Sequence, residues 1–250
     1  YNLIFYIIAI YSYKILWNQY IPNRVPKGVG IVLCIIVSII ALDLNYNFEF
    51  NNYFLFTLIM TLSLVYWIDD LLHLPSVIRL CIQFTMGMIL SIVVFDINIF
   101  MQPNMSHLFV FFFGILSIFL TNTINFYDGA DLNISTFGII NLLLLLFIFS
   151  FNSEIISIII SSIIFLLIFS FFNYKPNSIF FGDAGSFFLS SLIIFLICIG
   201  VIEGNYKMVY LFIGLSLPVF DVIYVIILRI YLRESLNTRH FYQIYQLVQN

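Results

Sequence analysis

Two adjacent carboxylates, Asp69 and Asp70, close an apolar run that extends from Tyr53 to Ile68. A bare carboxylate at a hydrocarbon boundary costs kilocalories, and a like charge beside it adds repulsion. The pair also ends a run read as a helix, where the dipole is negative. A bound divalent cation is the expected compensation. Farther on, Asn122, Asn125, Asp128 and Asp131 recur every third residue. In a helix that step turns about −60°, so neighbours in the series share a face of carboxamide and carboxylate oxygens. Such a face suits a hard cation or a base edge. Gly129 is expected to loosen the helix there. Asp183, flanked by Gly182 and Gly185, can present its oxygens without steric cover, although Asp183 and Ser186 read equally well as N-caps of the next helix. In the stretch from Ile21 to Gly30, two prolines and two glycines predict a tight turn with exposed backbone N–H groups beside Lys27. That turn could cradle a phosphate or simply be an interfacial turn.

Other polar residues carry blander expectations. Tyr66 and Trp67 read as interface-belt aromatics, and His73 and Arg79 as ordinary boundary residues. In the last apolar run Pro218 is expected to kink the helix, and Asp221 to need a partner. The tail adds Arg239 and His240.

The elements that must position these groups are membrane helices. The 250 residues are 63 % hydrophobic and 8 % charged, with a mean hydropathy of +1.11. Soluble domains carry about 25 % charged residues. Continuously apolar runs, rather than alternating ones, exclude an outer-membrane barrel. Measured against the roughly 20 residues that span a bilayer, nine segments are predicted, near 1–20, 29–44, 50–68, 77–97, 107–125, 134–150, 154–172, 186–202 and 208–230. The expected fold is all-α, a polytopic integral membrane protein of one domain. Cys34, Cys81 and Cys198 fall inside apolar runs and read as small core hydrophobes. No cleavable signal pattern is present, and the first residue is Tyr, so a fragment is one expectation.

Of the nine Lys and Arg residues, only Lys207 falls in an even-numbered connection. The positive-inside rule then puts the odd connections and the tail in the cytoplasm and the N-terminus outside. Asp43, Glu49, Asp96, Glu154 and Glu203 scatter on the outer side as solvated loop charges, whereas Asp69, Asp70, Asp128, Asp131 and Asp183 share the inner face with the bases. Charge bias explains the bases but not these acids.

In this order, the Pro26-Lys27-Gly28-Val29-Gly30 turn, Asp69-Asp70, the Asn125–Asp131 stretch, Phe181–Ser186 and Pro218–Asp221 resemble the polyprenyl-phosphate N-acetylhexosamine-1-phosphate transferases. That family shares a superfamily with the phospho-N-acetylmuramoyl-pentapeptide transferases. The resemblance implies an inner-membrane enzyme that moves a sugar 1-phosphate from a UDP-N-acetylhexosamine onto undecaprenyl phosphate and releases UMP. It implies Mg²⁺, with Mn²⁺ as an alternative, held directly by Asp183. Asp69 and Asp70 would lie beside the acceptor phosphate and the metal. Asn125 and Asp128 would line the nucleotide pocket, with Asn122 and Asp131 nearby. Lys27, Arg239 and His240 would contact phosphates. The single tail histidine, followed by Phe241-Tyr242-Gln243, is closer to members that start O-antigen or other surface polysaccharides. Leu132-Asn133 depart from the usual continuation after Asp131, and family members usually have further spans after the tail motif. A homodimer is left open, and no nucleic-acid partner is expected. The competing readings are a secondary transporter with intramembrane carboxylates, which would need acids near the midplane, and an inactive truncated homologue.

Overall fold

The computed structural model describes residues 3–21, 25–43, 50–72, 74–95, 103–128, 131–174, 179–202 and 211–233. Among them are nine helices in the predicted order: α1 (Leu3–Tyr20), α2 (Gly30–Asp43), α3 (Phe50–Leu72), α4 (Ser76–Val94), α5 (Pro103–Tyr127), α6 (Asn133–Ile148), α7 (Ser153–Asn173), α8 (Gly182–Ile202) and α9 (Leu211–Tyr231). Five of them, α3, α4, α5, α7 and α8, are long and apolar enough to cross a membrane, and α2 and α6 contain shorter apolar helices. Leu, Ile and Phe side chains stand exposed along α1, α4, α5 and α9. In water that surface would be untenable, and in a bilayer it is the lipid-facing wall.

The centre of the bundle is α8, which packs against α2, α3, α4, α5 and α6. Every residue from Ala184 to Cys198 is buried. A helix that is apolar on all sides belongs inside. Small residues on it (Ala184, Gly185, Ser186, Ser190 and Ser191) let neighbouring backbones come close. The buried Thr121 and Ser190 hydroxyls meet at 2.7 Å between α5 and α8. By contrast, α1 is peripheral and buries only Tyr6, Ile10 and Trp17. Its tie to α7 is polar, with Tyr6 Oη and Ser161 Oγ 2.8 Å apart.

Two helix boundaries differ from the sequence expectation in a way that matters. α3 runs on through Asp69 and Asp70 to Leu72, and α8 begins at Gly182 rather than Ser186. Apolar runs mark only the hydrocarbon portion of a helix, and polar end turns escape the pattern. α9 continues as helix through Pro218. Asp221, one turn below, is buried near Tyr127.

Candidate active site

At one end of the bundle, the last turn of α3, the loop before α2, the start of α4, the end of α5 and the first turn of α8 converge. The convergence depends on glycine. Gly28 and Gly182 both have left-handed backbones, with φ of 84° and 82°, a region that costs an ordinary L-residue roughly 1–2 kcal/mol. A Cβ on Gly182 would lie 2.4 Å from the Gly28 Cα and 2.7 Å from Asp70 Oδ2. The loop and the segment entering α8 are also joined by backbone hydrogen bonds, Phe180 N–H to Pro26 O at 2.9 Å and Gly30 N–H to Phe181 O at 2.9 Å. The turn is therefore not the open cradle of exposed N–H groups that its glycines suggested. Gly28, Val29 and Gly30 are buried, and the Gly30, Ile31 and Val32 N–H groups are already engaged. What the loop offers is the Lys27 ammonium.

The two neighbouring carboxylates have separate partners. Asp70 turns toward the loop. Its Oδ1 is 3.5 Å from Lys27 Nζ, and its Oδ2 accepts from Ala184 N–H at 3.3 Å. Asp69 turns toward α4. Its Oδ1 accepts from Leu74 N–H, and its Oδ2 lies 3.5 Å from Arg79 Nη1. The same Nη1 donates to Asp183 Oδ2 at 3.0 Å. The expectation that Arg79 is an ordinary boundary residue is thus corrected: it bridges two of the acids. The charge imbalance seen in the sequence is partly offset by the protein itself, through Lys27 and Arg79. Asp183 stands in the first turn of α8, where the dipole favours an anion. It pairs with Arg79 rather than acting as a cap.

Asp128 has a different task. Its Oδ1 accepts from Phe181 N–H at 2.9 Å and its Oδ2 from Gly182 N–H at 2.6 Å, so it fixes the backbone from which α8 starts. Burial pushes its carboxyl up to about 7, against the pull of the two amide donors. The three-residue polar series does not form one face. α5 ends at Tyr127, so Asn122 and Asn125 share a cavity while Asp128, in the following turn, points at residues 181–182. Asp131 is half-buried in the turn before α6 and shares none of these contacts. Gly129, His73, Arg239 and His240 lie outside the described residues.

That cavity has a volume of about 500 Å³, and Arg79, Asn122, Asn125, Asp183 and Ser186 are among the residues that line it. Asn122 is held in place by donating to Gln83 Oε1 at 2.9 Å and Ile118 O at 2.8 Å. Tyr66 forms another wall. It is stacked on Phe187 with ring centroids 4.5 Å apart and donates to Arg79 O at 2.9 Å. A buried wall residue is not a belt aromatic, so that expectation fails for Tyr66. Asn173, which carried no expectation, accepts from Leu132 N–H at 2.6 Å and donates to Ile179 O at 2.8 Å. It ties the turn after Asp128 to the segment that enters α8. An amide closing a long apolar run was the signal for it.

Oxygens dominate the donor set, as a hard cation requires. Asp69 Oδ2 and Ser186 Oγ are buried without a hydrogen-bond partner among the described residues. Among the described residues, no group of three or more His, Cys, Asp and Glu side chains converges there as a complete metal site. Mg²⁺ does not need one, since it is commonly held by one or two carboxylates together with waters and substrate phosphates. Asp69 and Asp183 fit that mode.

A multi-pass helical membrane protein with acids and cations gathered at one end of the bundle is the class that fold and site define. The chain belongs to glycosyl transferase family 4, whose pattern matches residues 52–202. It is also similar to the phospho-N-acetylmuramoyl-pentapeptide-transferase of Dictyoglomus thermophilum, with 37% identity over 99 residues, 39% of this chain and 32% of that protein. The matched portion thus spans about a third of that relative. The family match contains Asp69, Asp70, Arg79, Asn122, Asn125, Asp128 and Asp183 but not Lys27.

Proposed function

We propose that this protein transfers a sugar 1-phosphate, from a UDP-N-acetylhexosamine, to a polyprenyl phosphate such as undecaprenyl phosphate at the cytoplasmic face of the inner membrane. The observation that carries the reading is the Arg79 guanidinium that bridges Asp69 and Asp183 beside a cavity, lined by Arg79 and Asp183, at the end of a membrane bundle. A terminal site lets a lipid phosphate enter from the bilayer and a nucleotide enter from water. A transporter's coupling acids would instead lie near the midplane.

In the reaction, an oxygen of the lipid phosphate attacks the β-phosphorus of the UDP-sugar. The bond from that phosphorus to the α–β bridging oxygen breaks, and its electron pair leaves on UMP. The products are UMP and a lipid-linked sugar diphosphate. Phosphoryl transfer depends mainly on positioning and charge neutralisation. Lys27 and Arg79 supply fixed positive charge to the phosphates, while Asn122 and Asn125 offer hydrogen bonds to the nucleotide. Asp128 holds the 181–182 backbone and thereby Asp183. Asp183 and Asp69 would hold Mg²⁺, which when bound would supply neutralisation of phosphate charge. By resemblance, Arg239 and His240 would contact substrate phosphates and Asp131 would lie near the nucleotide. The product would initiate a cell-envelope polysaccharide, of the O-antigen or another surface type.

The test is UMP release by the purified full-length protein, with and without lipid phosphate, over a panel of UDP-sugars. Release is expected only with the lipid and Mg²⁺, and Asp183→Asn should abolish it. Lipid-independent release, or full activity in Asp183→Asn, would overturn the proposal.

A further inference from the structure

Lys27 sits in a loop without helical support, yet its ammonium must stay near Asp70 to act on a phosphate. The segment entering α8 holds the loop on one side, at Pro26 and Gly30. On the other side the contact comes from α1. Tyr13 Oη donates to the carbonyl of Lys27 itself at 2.7 Å. The same hydroxyl accepts from Trp67 Nε1 at 3.2 Å. Because the indole can only donate, it directs the hydroxyl proton at Lys27 O. Trp67 stands three residues before Asp70 on α3, so both project from the same side of that helix. One turn of α3 therefore governs Lys27 twice, through Asp70 at the ammonium and through Trp67 and Tyr13 at the main chain. The gap is tightly filled: a Cβ on Gly28 would lie 3.0 Å from Tyr13 Oη and 3.3 Å from Trp67 Cδ1.

We infer that Tyr13, seconded by Trp67, is a positioning residue that sets the Lys27 ammonium against Asp70 for binding the substrate phosphates. α1 is then part of the working site as well as a peripheral membrane helix. The inference rests on the phosphate role of Lys27 given above, and it extends the site beyond the residues of the family match.

Tyr13→Phe removes only the hydroxyl, and Trp67→Phe removes only the donor that orients it. Two readouts apply, each in detergent-purified full-length protein whose melting matches the wild type. The first needs no activity: the rate at which a water-soluble acylating reagent modifies Lys27, followed by mass spectrometry with Lys207 as internal reference. One net hydrogen bond corresponds to about fivefold in an equilibrium, so labelling should quicken about fivefold in Tyr13→Phe and by a smaller factor in Trp67→Phe. The second is kinetic: KM for the UDP-sugar or the lipid phosphate should rise by a similar factor with kcat little changed. In a Lys27→Ala background, Tyr13→Phe should have no further effect. Unchanged Lys27 labelling, or additive effects of Tyr13→Phe and Lys27→Ala, would overturn the inference. If the wild type transfers nothing, the proposed function fails, and the labelling rate alone still decides the positioning role. If Tyr13→Phe does not fold, Trp67→Phe gives the same decision.

Discussion

Arg79 is the residue whose removal discriminates most sharply between a structural and a chemical role for the acid cluster. Its Nη1 serves both Asp183 Oδ2, at 3.0 Å, and Asp69 Oδ2, at 3.5 Å. The Asp69 side chain is 2 % exposed, and that oxygen has no hydrogen-bond partner among the described residues. Removing one member of a fully buried ion pair costs about 3–5 kcal/mol. Arg79 is itself 34 % exposed, so screening reduces the expected cost in Arg79→Ala to about 1–2 kcal/mol. The same substitution relieves competition. A guanidinium and a divalent cation cannot both occupy the space between these two carboxylates, so Mg²⁺ should bind the substrate-free variant more tightly. At about 1.4 kcal/mol per decade, the gain should be about tenfold. Titration calorimetry of Mg²⁺ into the detergent-purified protein reads it directly. Meanwhile kcat/KM should fall, because the diphosphate loses a cation. Weaker or unchanged Mg²⁺ binding in Arg79→Ala would refute the placement of the metal between Asp69 and Asp183.

Other outcomes follow from the same geometry. Gly182→Ala adds a left-handed penalty and a collision of its Cβ with the Gly28 backbone that no side-chain rotation relieves, so thermal melting in detergent should fall by about 5–10 °C. Asn173→Ala leaves the Leu132 N–H and the Ile179 carbonyl without their partner, and the stability loss should be about 2–3 kcal/mol, read from melting. Asp128 sets a pH dependence. With its carboxyl raised to about 7 in the folded protein, the unfolded chain sheds this proton from the ordinary carboxylate range upward while the fold retains it. Its contribution to stability therefore declines as pH rises from about 4 to 7 and levels off above. In Asp128→Asn that decline should vanish from the melting profile.

The order and number of the described helices were legible because an apolar run of bilayer length announces itself without tertiary information. Asp69, Asp70 and Asp183 were legible for the opposite reason, as charges where hydrophobic insertion disfavours them. What remained hidden was the pairing. Nothing in the chain says that Asp69 faces Arg79 while Asp70 faces Lys27, because the partners lie on other elements and the choice depends on helix rotation about α8. Arg79 looked ordinary for that reason, and Tyr66 passed for a belt aromatic although it stacks on Phe187. The glycine turn misled in another way. Its flexibility serves close backbone contact with Gly182 and Gly185, not an open nest of donors. The regular spacing from Asn122 to Asp131 suggested one face, but a face requires that the helix continue, and α5 stops at Tyr127.

The central claim, transfer of a sugar together with its phosphate, is tested most directly by following the phosphorus. Full-length protein in proteoliposomes would be given polyprenyl phosphate, Mg²⁺ and a UDP-N-acetylhexosamine labelled at the β-phosphorus. The account predicts label in the extracted lipid and unlabelled UMP in the aqueous phase. Label remaining in soluble UDP, as in transfer of the sugar alone, or an unlabelled lipid fraction with every UDP-sugar, would contradict it.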